Sequence, residues 1–241
     1  TMLLNRPEKL NALSRQTLRD VATASRWLDD TTAVKTVVVR GAGRAFSAGF
    51  DLDDFRTLDE RGSARDNADL GRIAAEALTD CRPLTIAAVH GHCVGGGLVL
   101  AAACDLRLAS DTARFSIPEV DLGIPLAWGG IPRLVRELGP AVTKELVLTC
   151  RPFGADEAKA LRFLNRVVPD DQLVDEADAL AAELAAKPTF ALRATKQHVN
   201  AVTEDLAGTR RNANDADTLV AALADEESRA ISRAYLASKR R

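Results

Sequence analysis

Leu84-Thr85-Ile86-Ala87-Ala88-Val89-His90-Gly91-His92-Cys93-Val94-Gly95-Gly96-Gly97-Leu98-Val99-Leu100-Ala101-Ala102-Ala103-Cys104 decides the fold, because three structural states succeed one another along it. Leu84 to Val89 is an apolar run closed by His90-Gly91, which predicts a buried strand entering a loop. The loop is rich in glycine from Gly91 to Gly97, and Leu98 to Cys104 is apolar on every side, the pattern of a buried helix. The N-terminus of that helix points back into the glycine loop, where its dipole adds fractional positive charge.

The same succession stands upstream. Thr36-Val37-Val38-Val39-Arg40 is a β-branched run closed by Gly41-Ala42-Gly43, and it leads into a second glycine segment, Ala45-Phe46-Ser47-Ala48-Gly49-Phe50-Asp51-Leu52. Between the two runs, Leu70, Ile73, Ala74, Ala77 and Leu78 recur at helical spacing from Asp66 to Cys81, an amphipathic crossover helix. Strand, loop, helix, twice over, predicts an α/β layer architecture. Each glycine segment can turn backbone N–H groups toward one negative oxygen. Donors fixed around a developing oxyanion contribute about 3 kcal/mol each to lowering a barrier, so the chain reads as an enzyme acting beside a carbonyl.

Composition excludes several other classes. The 241 residues are 46% hydrophobic and 27% charged, enough to bury a substantial globular core. A net charge of -2 and 4% aromatic residues offer neither a basic groove nor stacking platforms for nucleic acid. Cys81, Cys93, Cys104 and Cys150 lie far apart without a Cys-x-x-Cys pair and read as reduced core residues of a cytoplasmic protein. The apolar stretch from Ile86 to Leu108 is interrupted by His90, His92 and Asp105, so no membrane span is expected there. Thr1 to Asn5 lacks a basic region followed by an apolar run and reads as part of a first strand.

Further along, Gly129 to Leu138 and Pro140 to Cys150 read as short helices, and Arg166-Val167-Val168-Pro169 as a short strand or extended link. Asp170 is placed to cap a helix carrying Leu173, Ala177, Leu180 and Leu184, and Pro188-Thr189 starts another that runs past His198. The apolar stripes of this helical end are expected to face a core or a neighbouring subunit.

Glu119, in Ser116-Ile117-Pro118-Glu119-Val120, is the leading candidate base. A carboxylate among apolar neighbours has a raised pKa, which suits proton transfer near neutral pH, although a glutamate on a surface turn gives the same spacing. Asp51 either braces the first loop or acts chemically. His90 and His92 flank Gly91 with no third metal ligand at a suitable spacing and read as structural. The chain has no Gly-x-Ser-x-Gly elbow and no phosphate-cradling Gly-Lys-Ser/Thr, and Gly91-x3-Gly95-Gly96-Gly97 lacks the dinucleotide spacing.

These motifs resemble, in order and over nearly the whole chain, the crotonase superfamily of enoyl-CoA hydratases and isomerases. The likeness runs from Leu4-Asn5-Arg6-Pro7-Glu8-Lys9-Leu10-Asn11-Ala12-Leu13 through both glycine segments and Ile117 to Gly123. It continues through Ala155-Asp156-Glu157-Ala158-Lys159-Ala160-Leu161 to Asn165-Arg166-Val167-Val168-Pro169. The resemblance implies an α/β, crotonase-like spiral of strand–strand–helix (ββα) units with the acyl-CoA site over residues 1–185. It implies a C-terminal α-helical trimerisation region over 186–241, in a homotrimer or a dimer of trimers. The implied substrate is an acyl-CoA thioester, and no separate cofactor is expected because coenzyme A enters as part of it.

Matched motif to motif, the family's oxyanion donors fall on the backbone N–H groups of Phe50 and Gly96, and one of its two glutamates on Glu119. Its CoA- and acyl-contacting positions fall on Lys9, Leu10, Ala48, Asp51, Leu52, Gly95, Pro118, Ala127 and Trp128. The C-terminal Ser232 to Arg241 resembles the family's last helix, which implies that Tyr235 and Lys239 lie near the CoA of a neighbouring subunit, although a solvated basic end has the same composition. Two departures stand out. Val99 occupies the position of the family's other glutamate, and Trp128 stands where hydratases have small residues, narrowing or reshaping the acyl site. The acyl specificity is expected to follow the loops around Phe50, Arg56 to Ser63, and Trp128.

With one carboxylate and an oxyanion hole, the expected chemistry is a proton shift beside the thioester carbonyl, isomerase-like rather than efficient hydration. The alternatives are a slow hydratase or thioester hydrolase, or an acyl-CoA-binding protein without turnover.

Overall fold

The two β-branched or small apolar runs form the centre of a parallel sheet. The structure is a computed structural model that describes residues 1–57, 64–209 and 214–238. In chain order its elements begin with β1 (Met2–Leu4), α1 (Arg15–Asp30), β2 (Thr36–Gly41), α2 (Leu52–Arg56), α3 (Ala64–Asp80), β3 (Leu84–Val89), β4 (His92–Val94) and α4 (Gly96–Ala103). There follow β5 (Leu106–Ser110), β6 (Arg114–Ser116), α5 (Gly130–Leu138), α6 (Pro140–Thr149), β7 (Phe153–Gly154), α7 (Ala155–Ala160) and β8 (Arg166–Val168). Four helices close the described chain: α8 (Leu173–Ala185), α9 (Thr189–Ala207), α10 (Asp215–Ala224) and α11 (Glu226–Ser238).

One sheet has the order β1-β2-β3-β5-β8 and is parallel throughout, while β4-β6-β7 form a second, mixed sheet. Both faces of the larger sheet are covered, as a parallel sheet requires. Val37, Val39, Ala87, Val89 and Ala109 meet α1, α3 and α4 in the main core, whereas Val38, Ile86, Ala88 and Leu108 meet Leu173, Ala177 and Leu180 of α8. The chain passes from β3 in the first sheet to β4 in the second at Gly91 (φ 54°), where a Cβ would collide with the Arg44 carbonyl. Strand, strand, helix is therefore the repeating step, seen most plainly in β3-β4-α4. The short strand β4 is hidden in the sequence because three residues among glycines carry no visible period.

Helix α4 is buried at every position and starts at Gly96, two residues before the apolar run. The C-terminal helices form as read, with one correction. Asp170 does not cap α8: a 3-10 turn over Asp170–Gln172 comes first, and Gln172 precedes the helix without a side-chain cap. The Asp170 carboxylate instead accepts from Thr112 Oγ1 at 3.2 Å, tying the link to the turn after β5. Lys35 Nζ donates to the Ala185 and Lys187 carbonyls at the end of α8, at 2.8 and 3.0 Å, a favourable place for a cation. All four cysteines are buried and free. Among the described residues no helix is long and apolar enough to cross a membrane.

Candidate active site

The first glycine segment is held by hydrogen bonds that engage its amides in turn. Phe46 and Ser47 N–H donate to the His90 and His92 carbonyls, Ala48 to Leu10, Gly49 to Ser47 Oγ, and Asp51 to Leu13, all at 2.8–3.2 Å. Phe50 N–H is the exception and donates to no acceptor among the described residues. In the second segment Val94 N–H donates to Ser47 and Gly95 N–H to Ser116, while Val99 N–H makes the first helical bond to Gly95. Gly96, as the first residue of α4, retains an unengaged N–H. Both N–H groups belong to residues that line one cavity, so each is free to donate to an acceptor placed there. The segments touch at Gly49 (φ 89°), where a Cβ would press on the Val94 carbonyl at 2.9 Å.

Phe50, Gly96, Val99, Glu119, Ala127 and Trp128 line one cavity of about 50 Å³. Phe55, Asn67 and Ala68 from α2 and α3, the 124–126 loop and Leu219 from α10 complete its wall. Glu119 is the one titratable side chain on the described lining. Its carboxyl lies against Gly95, where any Cβ would overlap Oε1, and Oε2 is enclosed without a hydrogen-bond partner. Loss of hydration raises its pKa to about 7, only partly opposed by its own backbone N–H. The arrangement can abstract and return a proton next to an oxyanion pocket.

Of the CoA- and acyl-contacting positions implied by the resemblance, Ala127 and Trp128 line that cavity, and Lys9, Leu10, Ala48, Asp51, Leu52, Gly95 and Pro118 do not. Lys9, Leu10 and Ala48 are adjacent, joined through the Ala48 N–H and Leu10 carbonyl at 2.9 Å. Lys9 is ion-paired to Asp53 at 2.7 Å and to Asp51 at 3.7 Å, and these carboxylates raise its pKa. Asp51 is buried, caps α2 by accepting from Asp53 N–H, and pairs with Arg6 at 2.9 Å, so it braces the loop; Leu52 opens α2 behind it. Pro118 accepts from Leu122 N–H at the base of the Glu119 loop. His90 Nε2 bonds the Gly43 carbonyl at 2.9 Å, a structural role.

Tyr235, on α11, is half-buried beside its own chain's Glu119 loop. Burial and, next, the charges of Asp121 and Glu119 raise its pKa, and Ser232 Oγ on the same helix donates to the Leu122 carbonyl. Lys239 and residues 58–63 of the loop expected to shape acyl specificity lie outside the described residues.

Sequence reasoning missed three supporting residues. Asn11 is buried at φ 55° and bridges the loops: Nδ2 donates to the Ala42 and Ala45 carbonyls at 2.8 and 2.7 Å, and Oδ1 accepts from Arg6 N–H. Asn11→Ala should cost about 1–3 kcal/mol, because three buried or partly buried backbone groups lose partners. Chemical denaturation measures this, and a cost near zero would show that the loops hold themselves. Asp215 of α10 accepts from Gly129 N–H at 2.7 Å and fixes the Trp128 turn. Gly71 of α3 faces the Trp128 ring, and its signal was there to find: an isolated glycine inside a helical pattern marks a close approach.

The chain has known relatives in sequence and in structure. A family model described as Enoyl-CoA hydratase/isomerase matches residues 1–241. The chain is 39% identical over 199 residues to a "Probable enoyl-CoA hydratase" of Mycobacterium bovis, covering 82% of this chain and 76% of that one. It is 36% identical over 207 residues to a peroxisomal Delta(3,5)-Delta(2,4)-dienoyl-CoA isomerase of Arabidopsis thaliana, covering 81% and 74%. The crystal structure of an enoyl-CoA hydratase/isomerase from Mycobacterium paratuberculosis superposes with a TM-score of 0.87 at 29% identity, covering 96% of this chain and 92% of that one.

Proposed function

The chain belongs to the enoyl-CoA hydratase/isomerase family, and from that premise we propose that it shifts a double bond in an enoyl-CoA thioester with Glu119 as its single acid/base. The observation that carries this reading is that Val99 and Glu119 both line the cavity and only Glu119 can hold a proton. Asp121, the nearest carboxylate in sequence, is exposed and does not line it.

In this reading the thioester oxygen accepts hydrogen bonds from Phe50 and Gly96 N–H. The Glu119 carboxylate takes a proton from C2 of a 3-enoyl thioester, and the electron pair left behind spreads onto the thioester oxygen as an enolate. The same carboxyl returns the proton at C4, leaving the double bond between C2 and C3. One group serves both steps, and a pKa of about 7 suits it to each direction near neutral pH. Hydration of a 2-enoyl thioester adds a second demand, a group to orient and activate water, and Val99 cannot meet it.

The expected result is that isomerisation of a 3-enoyl-CoA outpaces hydration of the matching 2-enoyl-CoA by about 10²–10⁴-fold, the usual contribution of one proton-transfer group. Mass spectrometry of both substrates over time measures the two rates. Equal rates would overturn the reading in favour of hydration, the activity printed in several relatives' names.

A further inference from the structure

We propose that Trp128 sets the acyl-chain length and that the substrates are short-chain acyl-CoA thioesters, an inference that rests on the thioester reading above. The indole fills the gap between α3 and α4. A Cβ on Gly71 or on Gly96 would overlap its ring, so the two helices accept the tryptophan only because both facing residues are glycine. The Phe50 ring meets it edge-on, with centroids 5.5 Å apart and planes at 84°, an attractive arrangement for two aromatics.

The backbone holds the ring there. Trp128 sits at φ 62°, a region that residues with a Cβ rarely adopt, and Gly129 follows at φ 67°. That turn is fixed from both sides, by Gly129 N–H donating to Asp215 on α10 and by Gly130 N–H donating to the Ala127 carbonyl at 3.0 Å. The strained conformation and its remote anchor point to a positioned side chain rather than a gap-filling one.

The consequence for ligands follows from position and size. The ring covers Gly96, one of the two unengaged N–H groups, so an acyl chain leaving a carbonyl held there meets indole within a few atoms. The remaining cavity is about 50 Å³. A water molecule occupies about 30 Å³ of liquid, so this room takes only a few non-hydrogen atoms, far below the roughly 300 Å³ of a pocket for a drug-sized ligand. The wall is apolar apart from the Glu119 carboxyl and the Asn67 amide.

Calorimetry with a ladder of saturated acyl-CoA thioesters from two to twelve carbons tests this without depending on turnover. Wild-type protein should bind butanoyl-CoA at least tenfold more tightly than decanoyl-CoA. Trp128→Ala should raise the decanoyl-to-butanoyl affinity ratio by at least tenfold, with Trp128→Leu intermediate, since one methylene is worth about tenfold or more in an apolar pocket. Gly71→Ala gives a readout of the gap that is independent of ligand. It should lower the melting temperature of the wild type and leave that of Trp128→Ala nearly unchanged. If wild type binds decanoyl as tightly as butanoyl, or if folded Trp128→Ala and Trp128→Leu both keep the wild-type cut-off, the inference is overturned while the thioester reading stands. Failure of every acyl-CoA to bind would overturn both.

Discussion

Glu119→Gln should lower turnover by about 10²–10⁴-fold and, at pH 8, make the fold more stable than wild type by about 3 kcal/mol. The two effects share one cause. The Glu119 carboxyl is enclosed, Oε2 has no partner, and lost hydration lifts its pKa from 4.5 to about 7. In the unfolded chain the same group ionises at its ordinary value. Between these two pKa values the unfolded state releases a proton that the folded state keeps, so the group's contribution becomes steadily less favourable as pH rises from 4.5 to 7. Above about 7 the penalty is complete, and below 4.5 it is absent. Glutamine stays neutral throughout, so the stability difference between variant and wild type should be near zero at pH 4, grow across that window and level off by pH 8. Wild-type activity should rise through pH 7 as the base form appears. Denaturation curves at several pH values, with parallel rate measurements, check both. A flat stability difference would mean that the carboxyl is solvated, and an active Glu119→Gln enzyme would remove the proposed base.

Lys196→Met should lower stability by about 3–5 kcal/mol, equivalent to a drop of roughly 10 °C in melting temperature for a chain of this size. Lys196 lies on α9 with its side chain almost wholly buried, and its Nζ donates to Asp105 Oδ2 and to the Pro83 carbonyl, each at 2.8 Å. The same Asp105 oxygen accepts from Thr85 N–H at 2.7 Å and Thr85 Oγ1 at 2.9 Å. The ammonium thus joins α9 to the start of β3 and to the turn between α4 and β5. Methionine fills the space without the charge, leaving the largely enclosed Asp105 carboxylate with only neutral donors. Adding Asp105→Asn should recover part of the loss, because the penalty comes from the uncompensated carboxylate more than from the missing attraction. Thermal melting of the two variants measures it. A single-variant loss below about 1 kcal/mol would place the pair among solvent-exposed bridges, which contribute little.

Much of the architecture was legible because its signals are local. The Val37 to Val39 and Leu84 to Val89 runs are strands β2 and β3 by composition alone, and the wholly apolar Leu98 to Ala103 admits no position except a buried helix. Glu119 was visible as a carboxylate among apolar neighbours. What could not be read was anything set by two distant segments at once. Strand β4 is three residues long and shows itself only through its partners, β6 on one side and Ser47 of the first glycine segment on the other. Asp170 has the residue type of a helix cap, yet its nearest donor comes from Thr112, far away in sequence. The need for glycine at position 71 comes from the Trp128 ring packed against it, which lies 57 residues away in sequence.

By itself the sequence determined the succession of β2, α3, β3 and α4, the two glycine segments, and the presence of one glutamate with valine where the resemblance puts a second. These depend on period, backbone freedom and residue chemistry, which each segment carries alone. Only the tertiary structure decided which amides stay unengaged, since Phe50 N–H is free because the carbonyls of residues 10, 13, 90 and 92 bond its neighbours. It alone decided the proton affinity of Glu119, because desolvation is a property of everything packed around a group. And it alone decided where the Trp128 ring lies, because the gap it fills exists only where Gly71 and Gly96 approach it from two helices.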